Sequence, residues 1–407
     1  MNKTILQNYA KLIVQIGANV QSGQEVVLIT ELDQPEFVKI LVDECYKAGA
    51  KRVVVEWNHT MLQKIHAEYQ SLSVLSETTP WEMAKFEYLK DVFPVRIILE
   101  SSDPDGLNGI KQPEYSEAIQ ARNRIYRPYR EAIEGHHQWC IAAVPSVGWA
   151  NKMYPHIPYE QAVERLWCDI LIASRAMENP IAGWKEHNCE LKAKCEYLNK
   201  LNIRELCYTA DNGTNFKVRL IPGSAFLGGS ERTIEGVKYN PNIPSEEIFI
   251  TPDSTSAEGI VYSTKPLSYM GQIIDNFYIR FKNGRAVEAH AEINDELLKK
   301  ILEMDKNSCR IGECALVSED SPIATSGLLY YNTLFDENAS CHLALGFGFE
   351  RCIPNYEKYT REELEKIGVN NSIIHVDFMI GCDSLSIDGI TDGKEIISVF
   401  RNGKWAF

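Results

Sequence analysis

The chain has no apolar run near the roughly 18 to 20 residues that cross a bilayer, and no low-complexity tract or internal repeat. Its N-terminus, Met1-Asn2-Lys3-Thr4, leads into a mixed amphipathic stretch without an apolar leader core or cleavage pattern. There is no Cys-x-x-Cys pair, which argues against a zinc ribbon or a thioredoxin-type motif. The 11 cysteines are odd in number and scattered, several in apolar runs such as Trp139-Cys140-Ile141, as expected of buried thiols in a reducing compartment. No glycine-rich loop follows any predicted strand, which leaves little for a nucleotide-binding Rossmann reading. Long runs of Lys or Arg are also missing, and the formal net charge is −14, so nucleic acid is not an expected partner. Together these absences predict a cytoplasmic protein with neither membrane nor nucleic-acid association. The acidity suits metals or substrates carrying a positive amine, and it suits an ordinary soluble protein equally well.

What is present is enough for a sizeable core. The 407 residues, 44% of them apolar, fit two domains. Apolar spacing from Ile5 to Val20 predicts an amphipathic helix. Glu25–Thr30 reads as a buried strand, Phe37–Ala48 as a helix closed by Gly49, and Arg52–Trp57 as a second strand. This strand, helix, strand order predicts a parallel sheet, continued by Val95–Leu99 and Trp139–Pro145. Helices are predicted over Tyr159–Met177 and Ile181–Lys200. Beyond Leu201 the texture changes to short alternating runs, Asn215–Leu220 and Phe277–Lys282, with turns at Asp211-Asn212-Gly213 and Asn283-Gly284. Asp295–Asn307 and Arg361–Ile367 read as helices, and Asp388-Gly389 and Asn402-Gly403 as the turns of terminal hairpins. The expectation is an α/β N-terminal domain over residues 1–190, with a parallel sheet, and a β-rich α+β C-terminal domain over residues 191–407.

Within the second half, charged groups recur in apolar company. Glu337-Asn338-Ala339-Ser340-Cys341-His342-Leu343-Ala344-Leu345-Gly346 sets an acid and an imidazole five residues apart in a small, apolar segment. Gly312-Glu313-Cys314-Ala315-Leu316-Val317 puts an acid ahead of an apolar run, and Ser245-Glu246-Glu247-Ile248-Phe249-Ile250 puts two. In the strand-like Ile373-Ile374-His375-Val376-Asp377-Phe378-Met379-Ile380, His375 and Asp377 point to one face while Ile374 and Val376 point to the other. Unpaired buried charge is costly, and a shared metal site is the simplest compensation, since a cation lets carboxylates stay ionised and imidazoles stay neutral. Each residue alone has an ordinary explanation: a satisfied core histidine for His375, a capping acid for Glu337, a solvated acid for Glu313. His136-His137 and His290 have no acidic company of this kind and read as structural or surface groups.

These segments, with Ser263-Thr264-Lys265-Pro266-Leu267 and Asp320-Ser321-Pro322-Ile323, resemble the thermophilic-type metallo-aminopeptidases of peptidase family M29. Glu56-Trp57-Asn58, Ser101-Ser102-Asp103-Pro104-Asp105-Gly106-Leu107 and Trp149-Ala150 are similar to that family's N-terminal landmarks, so the resemblance covers essentially the whole chain. It implies a dinuclear metal site in the C-terminal domain, with Glu247, Glu313, Glu337, His342, His375 and Asp377 at the ligand positions. The residues alone leave Glu246 and Glu247 undecided; the resemblance points to Glu247. Oxygen-rich, thiolate-free coordination suits zinc, cobalt or manganese.

The implied activity is release of N-terminal amino acids from peptides with a free N-terminus, using a water activated by two divalent metal ions. Glu313 is the expected catalytic proton carrier, and a homodimer with partly enclosed sites is expected. One position departs from the family pattern. Seven residues after His342 the family has a tyrosine able to hydrogen-bond the tetrahedral intermediate, and here that residue is Phe349. Loss of such a donor typically costs roughly 10² to 10³ in rate. The alternative is therefore a catalytically weakened relative with a binding or assembly role, unless another hydroxyl such as Tyr330 or Tyr331 substitutes.

Overall fold

The computed structural model describes residues 1–270 and 272–407. The chain forms two compact units, one of Met1–Glu186 with Ser230–Pro244, the other of His187–Gly229 with Ser245–Phe407. The first passage between them falls within the helix Pro180–Lys200.

In the first unit, four parallel strands lie in the order Arg52–Asn58, Glu25–Glu31, Val95–Glu100, Trp139–Ala143. The near-continuous apolar run Val26–Leu28 is buried, as expected of a strand covered on both faces. The N-terminal helix differs from its sequence pattern. It is α-helical over Lys3–Leu12 and then widens into a π turn over Ile13–Gly17, with Ala18 N–H on Ile13 O at 2.7 Å. The apolar period continues through the change, so periodicity alone does not reveal it. A Cβ on Gly17 would lie 2.6 Å from Cys140 Sγ, so only glycine lets the turn approach the Trp139–Ala143 strand this closely. The returning segment extends the sheet, with Ile141 N–H on Pro241 O at 2.7 Å and Ile243 N–H on Ile141 O at 2.9 Å.

The second unit is built from two antiparallel sheets. The larger holds nine strands, including Ile203–Thr209, Asn215–Arg219, Glu258–Tyr262, Gln272–Lys282, Arg285–Ile293 and Ser386–Thr391. The turns at Asp211–Gly213 and Asn283–Gly284 join neighbouring strands as the sequence predicts. The smaller sheet has five strands in the order His375–Met379, His342–Gly346, Ile311–Leu316, Ile248–Ile250, Leu227–Gly228. One hydrophobic core joins the two sheets: Cys314, Leu316, Leu343, Leu345, Val376 and Phe378 from the smaller meet Leu206, Phe216, Val261, Ile279 and Ile387 from the larger.

Two sequence expectations are corrected in this unit. Asp388-Gly389 is not a turn but the middle of the strand Ser386–Thr391, paired with Cys207 and Leu206. Gly389 is there because a Cβ would come within 2.8 Å of Ile203 Cδ1, and the reversal falls after Thr391 instead. The helix from Asp295 ends at Leu302, where the main chain turns and Ser308 Oγ donates to Leu302 O at 2.8 Å. Among the described residues, no helix is long and apolar enough to cross a membrane, and all 11 cysteines are free.

Candidate metal centre

The centre lies on one face of the five-stranded sheet. Strand alternation sends Cys314, Leu316, Leu343, Leu345, Val376 and Phe378 into the core. The intervening residues therefore point the other way. Across the sheet Glu313 is opposite Ala344, and Ala344 is opposite Asp377. His342 is opposite Ala315, and His375 is opposite Gly346. Two acids are thus held on either side of one methyl group. Glu247 precedes the strand Ile248–Ile250, whose Ile248 and Ile250 are in the core, so Glu247 and Phe249 share the polar face.

Tight backbone crossings fix one end of this face. A Cβ on Gly312 would lie 2.3 Å from both Gly346 O and Phe347 O, and one on Gly346, at φ +96°, would lie 2.2 Å from Ile374 O. Glycine at both places lets three chain segments close up, and the carbonyl of Phe347 then receives His375 Nδ1 at 2.8 Å. The second imidazole is held in the same way, His342 Nδ1 on Ser340 O at 3.1 Å. A carbonyl only accepts, so in both rings Nδ1 carries the hydrogen and Nε2 faces the acids. His342 Nε2 is 3.3 Å from Glu247 Oε2. His375 Nε2 is 3.1 Å from Glu313 Oε2 and 3.2 Å from Asp377 Oδ1.

The ligand-type atoms of Glu247, Glu313 and His342 lie within 4.8 Å of one another, and so do those of Glu313, His375 and Asp377. Glu313 belongs to both groups. Glu337, in the single turn Glu337–Ala339 after the helix Thr333–Asp336, lies outside both but is in electrostatic contact with the same acids. Of the adjacent pair, Glu247 faces His342, whereas Glu246 has its Oε2 3.8 Å from His187 Nε2. His136 faces Glu235 at 3.1 Å, His137 sits on Ile133 O at 2.9 Å and His290 faces Asp295 at 3.3 Å.

The electrostatics are those of crowded acids. Burial, with the neighbouring Asp377 and Glu247 charges, pushes the Glu337 carboxyl well above the usual carboxylate range. Glu313 is also raised, by burial first and by Glu247 and Asp377 after it, with His375 working the other way. Burial favours neutral His342, but Glu247, backed by Asp377 and Glu313, outweighs it and raises the imidazole to about 10. His375 is raised well above its ordinary value for the same reason, through Asp377 and Glu313. For Asp377, burial is outweighed by His375 and His342, and the carboxyl is lowered. Asp377 Oδ1 is buried, with His375 Nε2 3.2 Å away. Carboxylate oxygens and both ring Nε2 atoms converge here while the Nδ1 carbonyl contacts fix the ring orientations, a donor arrangement that a cation would fit. The donor set, carboxylate oxygen and imidazole nitrogen without thiolate, fits a divalent ion.

Phe349 stands beside this face, its ring centroid 4.9 Å from that of His375 and 5.4 Å from that of Phe249. Arg351 covers it, the guanidinium carbon 4.8 Å from the Phe349 centroid. Tyr330 is buried and stacked on Phe335 at 4.7 Å. Sequence reasoning overlooked two neighbours of Glu337. Asp336 accepts from the N–H groups of Tyr330 at 2.8 Å and Asn332 at 3.1 Å, and burial pushes it up to about 7 against those bonds. Asn338, fully buried, bonds the segment that carries Glu247. Its only sequence signal is its place between Glu337 and His342.

A profile of the family described as thermophilic metalloprotease (M29) matches residues 2–405. The chain is 40% identical to aminopeptidase AmpS of Bacillus subtilis over 405 residues, covering 99% of this chain and 98% of that one. It is 38% identical to aminopeptidase 2 of Geobacillus stearothermophilus, over 99% and 98% of the two chains. The structure of wild-type AmpT from Thermus thermophilus superposes with a TM-score of 0.91 at 33% identity, covering 100% of both chains. From one terminus to the other, then, this chain belongs to the M29 family of thermophilic metalloproteases.

Proposed function

We propose that the chain is a cytoplasmic, metal-dependent aminopeptidase acting on peptides with a free N-terminus. Glu247, Glu313, Glu337, His342, His375 and Asp377 would hold two divalent cations, zinc, cobalt or manganese, in the second unit, His187–Gly229 with Ser245–Phe407, rather than in one unbroken stretch of residues 191–407. The observation that carries this reading is the sharing of Glu313 by both clusters of ligand-type atoms, since a bridged pair needs one carboxylate in common. The charge count agrees: four carboxylates, with both imidazoles neutral, match two divalent ions. The relatives' names, aminopeptidase AmpS and aminopeptidase 2, support the activity.

A pair of cations held by these residues would supply Lewis-acid polarisation of the scissile carbonyl and lower the pKa of a water. Glu313 would be the group that takes up a proton from the attacking water and passes it to the leaving amine. The free α-amino group of the substrate would be held at the same centre, which restricts cleavage to the first residue. A homodimer is part of the proposal, by analogy with the family.

The test is removal and return of metal. Dialysis against chelator abolishes hydrolysis of an amino-acid p-nitroanilide, and cobalt or zinc restores it, with elemental analysis giving two ions per chain. Persistent inactivity at full occupancy overturns the proposal. Phe349 favours a second reading, a weakened member with a binding or assembly role. Phe349→Tyr separates the two. A gain on the order of 10² in kcat supports impairment by the missing hydroxyl, and an unchanged rate supports a complete site as it stands.

A further inference from the structure

Glu247 and Glu337 come from segments far apart in sequence, and neither lies within a strand: Glu247 directly precedes Ile248–Ile250, and Glu337 opens a single turn. One hydrogen bond joins the residues beside them. Asn338 Oδ1 accepts from the Glu246 N–H at 2.6 Å across 92 residues. Asn338 follows Glu337 directly, and Glu246 precedes Glu247 directly. The same amide is held at its other end, Nδ2 donating to Leu334 O at 2.8 Å. Asn338 is fully buried, so no water replaces either contact, and only a side chain with one acceptor and one donor in a fork serves both.

We infer that Asn338 is a positioning residue, which sets the separation of Glu247 from Glu337 before any cation arrives. The inference rests on the metal-site reading above. The amide ties the backbone beside Glu247 to the backbone beside Glu337 directly. Three further contacts frame it. Ser321 Oγ donates to Asn338 O at 3.3 Å, Ser321 caps the helix Pro322–Ser326, and His187 Nε2 donates to Ser245 O at 2.7 Å. Only the Asn338 side chain connects the two acid-bearing segments directly among these bonds. Groups that orient ligands typically change metal affinity by 10- to 100-fold when removed.

The experiment titrates Zn²⁺ and Co²⁺ into the metal-free full-length protein by calorimetry. Wild type, Asn338→Ala and Ser321→Ala are compared, each checked by thermal melt in the metal-free state. Asn338→Ala is expected to weaken one class of metal site by 10- to 100-fold, with activity regained at high metal concentration. Ser321→Ala, which removes a bond to the backbone of Asn338 but not the bridge, is expected to leave affinity unchanged. Equal weakening in both variants, or unchanged affinity in Asn338→Ala, overturns the inference, whereas wild type that takes up no metal overturns the reading beneath it. Should Asn338→Ala not fold, hydrogen–deuterium exchange on wild type decides. A Glu246 amide protected without metal supports prepositioning; one that exchanges freely until metal is added shows that the cation does the positioning.

Discussion

The two faces of the five-stranded sheet share one backbone and differ in almost everything else. On one, Leu343, Leu345, Val376 and Phe378 close against the larger sheet and need nothing beyond the chain itself. On the other, His342, Ala344, His375 and Asp377 alternate with those same residues and leave a set of acids that only two imidazoles offset. Burial stabilises the first face at about 25 cal/mol per Å² and destabilises the second by desolvating charge. The apolar face thus supplies the folding free energy that keeps the polar face in a geometry it would not adopt alone. A third environment marks the contrast. In the first unit Glu82 meets Thr79 and the Arg122 guanidinium, and although burial opposes it, these hold its carboxyl at about 2. An acid with a guanidinium partner in the chain is settled; the crowded acids of the sheet have only imidazoles to offset them.

The largest effect should come from the shared acid. Glu313→Gln keeps the volume and removes the charge common to both clusters, so kcat should fall by roughly 10² to 10⁴, with fewer ions retained in elemental analysis. Retention of both ions and full turnover would break the distinction between the faces. One residue along the neighbouring strand, Leu343→Ala should do the reverse. It opens a cavity in the core and costs about 3 kcal/mol in denaturant unfolding, while metal affinity measured below the transition stays near wild type. A loss of affinity as large as that of Glu313→Gln would show that the faces are not separable.

The smallest effect belongs to the acid that already has its partners. Glu82→Gln should cost about 1 kcal/mol, the usual worth of such a cap, and leave metal binding untouched. Its sign with pH follows from the lowered carboxyl. The contribution is fully present above the ordinary carboxylate value of 4.5 and is lost as pH falls toward about 2. Denaturation curves of wild type and Glu82→Gln should therefore converge between those limits. Curves that stay parallel down to the lower limit would remove the contrast with the sheet acids.

Much of the fold was legible because it depends on local pattern. The buried run of Glu25–Glu31 and the strand, helix, strand rhythm required a parallel sheet, and the structure has one. The opposite orientation of His375 and Val376 followed from a period of two, and Val376 does lie in the core. Asp388-Gly389 misled because the dipeptide favoured in hairpin turns also serves where a strand must pass close to a neighbour, here Ile203. The π turn at Ile13–Gly17 was hidden because five residues are too few for a change of period to show in the apolar pattern. Asn338 was not legible at all, since its amide acts on a backbone 92 residues away.

The sequence by itself determined which side of each strand is polar, because successive side chains must point to opposite faces. It also determined that charge would be brought into apolar surroundings, through single acids and imidazoles set in runs too apolar to stay at the surface. Only the tertiary structure decided which strands lie side by side and in what register. Glu313, Ala344 and Asp377 form one row because of pairings that no local pattern encodes. A slip of one residue would turn Glu313 into the core and Cys314 toward the acids, since register is a property of packed surfaces and not of any strand alone.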